Sequence, residues 1–154
     1  MRRLLVVFAA VVNLVLIDAV TKELAAGYLK GAAAFSVVPD LFNLAYVENR
    51  GCAWGLLQGQ VWPLAAFALV VLALLVWKRR TVFGATRLGA IAEPILYAGI
   101  VGNAIDRVVR GYVIDFLDFH VKAHHFPCFN LADVFITCAV AILILEEFRH
   151  YVRR

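Results

Sequence analysis

The chain has 154 residues, of which 64% are hydrophobic and 17% charged, and its mean hydropathy is +0.85. That balance excludes an ordinary soluble domain and leaves no length for a large extramembrane module. The formal charge of +4 does not point to nucleic acid, because the basic residues flank apolar runs and form no stripe with interleaved aromatics.

The first apolar run, Leu4 to about Lys22, follows Arg2 and Arg3. It resembles the start of a secretory signal, yet no small-residue cleavage motif ends it, and Asp18 and Lys22 follow directly. A retained first helix is therefore expected. A longer outer loop occupies about residues 27–60. Within it, Phe42 to Val47 lacks helical periodicity and is rich in strand formers, while Gly51 and Gly55 bracket a turn or close approach. Val61 to Trp77 carries no charge and lies at the short end of spanning length, with Trp62 and Trp77 placed as interface anchors. A third span is predicted from about Leu88 to Ile105, with Glu93 its only charge. A second outer segment, about residues 108–128, has strand-like composition over Tyr112 to Phe119. The fourth span runs from about Phe129 to Leu145, with only Asp133 charged. Polar residues of the last two spans are expected on faces turned toward the protein interior.

The expected fold is an all-α polytopic membrane protein, a single domain over residues 1–154 with four transmembrane helices and a small β-rich cradle outside. Basic residues set the orientation. Arg2, Arg3, Lys78, Arg79, Arg80, Arg87, Arg149, Arg153 and Arg154 fall on one side, and Lys22, Lys30, Arg50, Arg107, Arg110 and Lys122 on the other. The denser clusters belong inside, which makes both termini cytoplasmic. The cradle must lie outside the hydrocarbon or be shielded, since lipid-facing strand edges would leave backbone groups unpaired.

Spans drawn from hydrophobicity and charge alone gather the polar residues at one level. At 1.5 Å per residue, Asp18 reaches the outer boundary roughly 20 Å after Leu4. Lys22 shares its helix face. Asn103 and Arg107 reach the same boundary on the third helix, and Asn130 and Asp133 open the fourth. Asp115 lies in the returning segment and Asn49 in the long loop. Two convergent carboxylates suggest a shared-proton pair that activates water. Other roles stand beside that one: Asp133 as a helix cap, Asp115 paired with Arg107 or Arg110, and the asparagines bonding between helices. For Arg107, an anchor to headgroups or a pairing with Asp106 is the alternative. A small transporter with an intramembrane relay is the competing class, and a structural adaptor the third.

Absences narrow the chemistry. No His-Glu-x-x-His motif, thiolate cluster, glycine-rich phosphate loop or Gly-x-Ser-x-Gly element is present. His120, His124 and His125 lack ligand spacing, so neither a metal nor a cofactor is expected. Cys138 reads as helix packing, and a bridge between Cys52 and Cys128 remains open.

Five blocks, in order and between the four spans, then carry a resemblance. They are Asp18-Ala19-Val20-Thr21-Lys22, Asn49-Arg50-Gly51-Cys52-Ala53-Trp54-Gly55, the run from Gly99 to Arg107 containing Gly102-Asn103 and Asp106-Arg107, Gly111-Tyr112-Val113-Ile114-Asp115-Phe116, and Phe129-Asn130-Leu131-Ala132-Asp133. Across essentially its whole length the chain resembles the bacterial lipoprotein signal peptidases, the type II family of aspartic membrane peptidases. The resemblance implies that Asp115 and Asp133 are the catalytic dyad and that Asn103, Arg107 and Asn130 line the site, with Asp18, Lys22, Asn49 and Gly51 binding substrate or supporting it. It further implies cleavage of diacylglyceryl-modified prolipoproteins on the amino side of the lipidated cysteine, in the bacterial cytoplasmic membrane. Phospholipid and globomycin-type cyclic peptides would be its other partners, with no cofactor and no obligate protein partner. Departures from the family pattern are Ala98-Gly99 in place of Gly-Gly, Trp54 in place of Phe, and the additional acid Glu93.

Overall fold

The computed structural model describes residues 2–152. Its elements in chain order are α1 (Arg2–Leu29), β1 (Phe35–Val38), β2 (Phe42–Asn49), α2 (Val61–Trp77), α3 (Arg79–Val82), α4 (Arg87–Arg110), β3 (Val113–Val121), β4 (His124–His125) and α5 (Leu131–Val152). The protein is thus mostly helical with one small sheet. Two helices, α1 and α4, are long and apolar enough to cross a membrane. The shorter α2 is apolar throughout its 17 residues. Along α5, Ile144, Leu145 and Phe148 are exposed.

α1, α4 and α5 run past the ends of the apolar stretches that marked them, whereas α2 spans Val61–Trp77 as drawn. α1 continues through Glu23-Leu24-Ala25-Ala26, which are good helix formers, and carries Gly27 in its last turn before ending at Leu29. Residues 27–29, assigned above to the outer loop, are its last turn, just as Val108, Val109 and Arg110 belong to α4. Hydropathy marks where lipid contact ends, whereas a helix ends only where its backbone finds a cap. Arg153 and Arg154, part of the charge asymmetry, lie outside the described residues.

Helix α4 is the central post. It packs against α1, α2 and α5 and is largely buried, whereas α1 shows Leu4, Leu5, Phe8, Leu16 and Ile17 to the surroundings. Small residues permit the approach. A Cβ added to Gly99 would lie 2.5 Å from the Ala132 carbonyl oxygen, and one added to Gly102 would lie 2.6 Å from Asp18 Oδ2. The backbone of α4 therefore touches both α5 and α1 where a side chain would hold them apart. At the end of α4 remote from the sheet, Phe83, Leu96, Tyr97 and Ile100 form an apolar core with Val7 and Ala139. Glu93, unexplained by the sequence motifs, is fully buried there. Its carboxylate accepts from Arg79 Nε at 2.7 Å and Arg3 Nη2 at 3.1 Å, clasping α4 to α3 and the start of α1.

The sheet is antiparallel in the order β1-β2-β3-β4. In the β2–β3 ladder Val47 lies opposite Asp115 and Asn49 opposite Val113, with a bulge between Leu44 and Val47. Ala25 of α1 packs with Ile114 and Phe116 beneath this sheet. The segment leading into α5 also joins β3. Phe116 and Leu117 both donate their backbone N–H to the Phe129 carbonyl, at 3.0 and 2.8 Å, and Phe129 N donates back to Leu117 O at 3.1 Å. That short ladder draws the middle of β3 against the first turn of α5.

Gly102→Ala tests the packing directly. Its methyl group has no space between Asp18 and Ala132, so overpacking should lower stability by roughly 1–3 kcal/mol. Thermal unfolding in detergent micelles measures this, and an unchanged midpoint would show that the helices can part without cost.

Candidate active site

The first turn of α5 organises the site. Asn130 precedes the helix, and its side-chain Oδ1 accepts the backbone N–H of Asp133 at 3.1 Å. Asp133 Oδ2 in turn accepts the backbone N–H of Asn130 at 3.2 Å. This is a reciprocal capping box, with Asp133 in the place usually taken by Glu or Gln. A third helix-end donor, Ala132 N, is taken by Asp18 Oδ1 at 2.9 Å. The capping role weighed for Asp133 is therefore realised, and its other carboxylate oxygen remains for the site.

With Asn130 Oδ1 committed to the cap, its amide Nδ2 must face the other way. It donates to Asp115 Oδ1 at 2.6 Å and to Asn103 Oδ1 at 3.1 Å. Asn103 Nδ2 donates to Asp133 Oδ1 at 2.8 Å. Asn130 thus bonds both aspartates, one through its side chain and one through its backbone. Asp115 Oδ2 accepts Asn49 Nδ2 at 2.9 Å, while Asn49 Oδ1 is occupied by Gly51 N at 2.9 Å. Asp115 is held by two asparagine amides and makes no hydrogen bond or ion pair with Arg107 or Arg110. Burial pushes its carboxyl up to about 7, assisted by the charge of Asp133 and opposed by the two amide bonds.

Behind the asparagines lies a buried ionic cluster. Lys22 Nζ donates to Asp18 Oδ2 at 2.8 Å, Asp106 Oδ2 at 2.9 Å and Asn103 Oδ1 at 3.1 Å. The Lys22 side chain is 1% exposed, so these three acceptors replace its water shell. Asp106 also accepts from Arg110 Nε at 3.0 Å and from the backbone N–H of Ile114. Arg107 is not its partner. Arg107 Nη2 donates to Gly51 O at 3.0 Å and Nη1 to Asn103 O at 3.2 Å, fastening the long loop to α4. Asp106 was not singled out from the sequence as a site residue; it was weighed there only as a partner for Arg107.

The structure brings all nine residues singled out by sequence into this one assembly: Asp18, Lys22, Asn49, Gly51, Asn103, Arg107, Asp115, Asn130 and Asp133. Asn49, Asn103, Arg107, Asp115 and Asp133 line a cavity of about 490 Å³, which continues along α5 past Val134, Ile136 and Thr137. Asp18 and Lys22 lie behind that wall. The bridge left open between Cys52 and Cys128 does not form, and both are free thiols. Cys138 departs from expectation, being exposed along the cavity wall where helix packing was expected. Burial pushes the Cys128 thiol up to about 12, so it stays protonated beside the carboxyls. No group of three or more potential ligands could hold a metal ion among the described residues. His125 Nδ1 instead lies 2.7 Å from Asp118 Oδ1. What the cavity offers is acid–base chemistry by two carboxyl groups.

A family model described as signal peptidase (SPase) II matches residues 10–149. The chain belongs to that family, and it is an aspartic-type peptidase. A protein of Syntrophotalea carbinolica named lipoprotein signal peptidase is 38% identical over 98% of this chain and 94% of its own length. One of the same name from Geobacter metallireducens is 39% identical over 86% of this chain and 84% of its own. A solved structure described as a bacterial membrane enzyme, at 2.3 Å resolution by the in meso method, superimposes with a TM-score of 0.85 at 30% identity. It covers 97% of this chain and 91% of that one. A second of the same description, at 1.9 Å, gives a TM-score of 0.77 at 32% identity, covering 92% and 91%.

The ionic cluster has its own test. Lys22→Met leaves Asp18 buried without its cation and Asp106 with Arg110 alone, and should destabilise the protein by roughly 3–5 kcal/mol. Adding Asp18→Asn should restore much of that loss in the thermal midpoint. A single variant as stable as the parent would show that water replaces the ammonium.

Proposed function

We propose that the chain removes signal peptides from diacylglyceryl-modified prolipoproteins, cutting on the amino side of the lipidated cysteine. Asp115 and Asp133 are the catalytic pair. The observation that carries this reading is the double attachment of Asn130, which bonds both carboxylates at the wall of one open cavity. Asp133, at the amino end of α5 where a negative charge is favoured, is the ionised member and takes a proton from a water held between the two. Asp115, raised by burial, carries the shared proton near neutral pH and gives a hydrogen bond to the scissile carbonyl oxygen. Proton transfer to the departing amine completes hydrolysis. Asn103 and Asn130 hold the pair, Arg107 and Gly51 fix the loop beside it, and Asn49 orients Asp115. Asp18 and Lys22 brace the site from behind.

The site sits at the outer face of a four-span domain with both termini in the cytoplasm. Apolar α2 and the exposed apolar side of α5 supply the two spans beyond α1 and α4. Arg2, Arg3, Arg79, Arg80, Arg87 and Arg149 lie toward the end of the bundle away from the sheet, as cytoplasmic residues would. Acyl chains on the cysteine stay in the leaflet, so anchoring confines the search for the dyad and aligns the bond. A globomycin-type cyclic peptide would compete for the same cavity.

Purified protein assayed with matched lipidated and unlipidated peptides decides the matter. Asp115→Asn and Asp133→Asn should each lower kcat by roughly 1,000-fold or more while leaving insertion and folding intact. Near-normal turnover by either variant would sink the pairing. The lipidated peptide should be cut far faster than its unlipidated twin; equal rates would remove the lipid from the recognition.

The pH profile follows from Asp115. With its carboxyl at about 7, the shared proton is lost as pH rises through that value. Measured from about pH 5 to about pH 9, kcat/KM should therefore fall as pH rises through about 7. A plateau extending to about pH 9 would show that no proton near 7 is required.

A further inference from the structure

Between Arg3 and Asp18, helix α1 carries one polar residue, Asn13. It lies midway between Leu4 and Lys22, roughly 13 Å from each at 1.5 Å per residue, and so near the centre of the hydrocarbon that α1 would cross. Lys22 is buried against α4. The residues from Asn13 to Lys22 make about two and a half helical turns, which points Asn13 the opposite way, out of the bundle. Asn13 is exposed on that side, and Leu16, Ile17 and Val20 are exposed around it. Only 11% of the apolar span of α1 is buried, against 61% for α4, so this face meets lipid or another protein.

An amide in that position lacks partners in lipid. Asn13 Nδ2 donates to the Ala9 carbonyl, one turn back, at 2.8 Å. That bond uses one N–H. The second N–H and the Oδ1 atom bond nothing among the described residues, and no water reaches that depth to serve them. A polar group left unmet in hydrocarbon is costly, and an asparagine is relieved there by bonding across to a neighbouring helix. Ala9 is exposed beside it and small, which leaves room for such a helix to approach.

We propose that this face of α1 is the contact between two copies of the chain, closed by reciprocal hydrogen bonds between Asn13 and the partner's Asn13. Every copy enters the bilayer the same way round, so the axis relating two of them lies along the membrane normal. Their α1 helices then run parallel, and the two amides meet at one depth with no adjustment of register. A carboxamide is donor and acceptor at once, so the spare N–H of each reaches the Oδ1 of the other. An unlike membrane helix would have to carry a matching polar group at that level, whereas a second copy carries it necessarily. The signal segment of a substrate fits less well, because Asn13 faces away from α4, whose Asn103 and Arg107 line the cavity. Among the described residues none from α1 lines that cavity, so pairing through α1 leaves both dyads open to substrate.

The experiment places full chains, labelled with donor or acceptor dye at a carboxy-terminal tag, in vesicles of phosphatidylcholine and phosphatidylglycerol. Energy transfer is followed as added lipid dilutes the protein. Parent chains should transfer energy well above the level of random encounter, and dilution should abolish it. Asn13→Leu should need about tenfold more protein per lipid, or beyond, to reach the same transfer. Asn13→Gln keeps donor and acceptor and should stay nearer the parent. Peptide cleavage by Asn13→Leu should match the parent's, since the residue touches neither the cavity nor the packed core. Asn13→Cys supplies a readout that does not depend on losing association. Oxidation in the same vesicles should cross-link it into dimers, while the parent, with its exposed Cys138, and Val140→Cys on α5 should stay single. Parent chains with no more than random transfer overturn the proposal and leave the face to lipid or an unlike helix. Undiminished transfer by Asn13→Leu, or cross-linking of Val140→Cys as complete as that of Asn13→Cys, overturns it too, because the copies then meet elsewhere.

Discussion

One buried ammonium group decides how the sheet end of this protein is assembled. Lys22 sits where α1 meets α4, away from water, and its charge is met by Asp18, Asp106 and the side-chain oxygen of Asn103. Each acceptor has a second duty. Asp18 reaches the first turn of α5, Asp106 holds the start of β3 at Ile114, and Asn103 is left with its amide facing Asp133. A single cation therefore ties together three segments, the start of α5, the start of β3 and the end of α4 that carries Asn103. Ion clusters of this kind add little net stability, because desolvation cancels much of the attraction. Their effect here is to make other arrangements of the same helices leave a charge unpaired.

The same economy applies to the two aspartates. Asp133 completes a capping box and still presents an oxygen to Asn103, so the start of α5 and the chemistry of the cavity depend on one side chain. Asp115 lies on a buried strand face, gripped by asparagine amides whose own oxygens are already committed. Neither amide can turn over without losing a bond. The two carboxyl groups thus stand in unlike surroundings, one at a helix end and one under a sheet, and unlike surroundings are what separate an acid from a base. Burial pushes the Asp115 carboxyl up to about 7.

Much of this was legible from residue types. Apolar runs located the long helices because lipid contact demands them, and the polar residues fell at one level because a carboxylate or amide within a bundle needs partners. Asp18 with Lys22 was read as a pair from spacing, and it is one. Three features were not legible. The helix ends overran hydropathy because Glu23 and Arg110 tolerate both helix and water, so composition placed no stop there. Asp106 escaped notice because its partner Lys22 is distant in sequence, whereas its neighbour Arg107 offered a pairing that the fold does not make. Cys138 was read as packing because nothing in an apolar helix sequence says which side lines a cavity.

The cavity also has unequal walls, and the inequality follows from what each wall is built of. On the floor, Asn49, Asn103, Asn130 and the ionic cluster fill one another's hydrogen-bonding capacity, which leaves few alternative arrangements of similar energy. The loop beside it is built otherwise. Trp54 and Leu57 have φ values of 63° and 55°, the left-handed region that side chains with a Cβ avoid, and both are more than half exposed. Backbone held in that region costs on the order of 1–3 kcal/mol per residue, and here burial contributes little to offset it. The loop is retained by hydrogen bonds from Arg107 to the Gly51 carbonyl, Gly51 N to Asn49 Oδ1, Cys52 N to the Leu56 carbonyl and Gly59 N to the Arg50 carbonyl, and by Trp54 against Phe126. The cavity thus joins a floor whose polar groups are mutually satisfied to an edge of exposed backbone, because one is built from side chains that fill each other's bonding capacity and the other from a loop with little to bury.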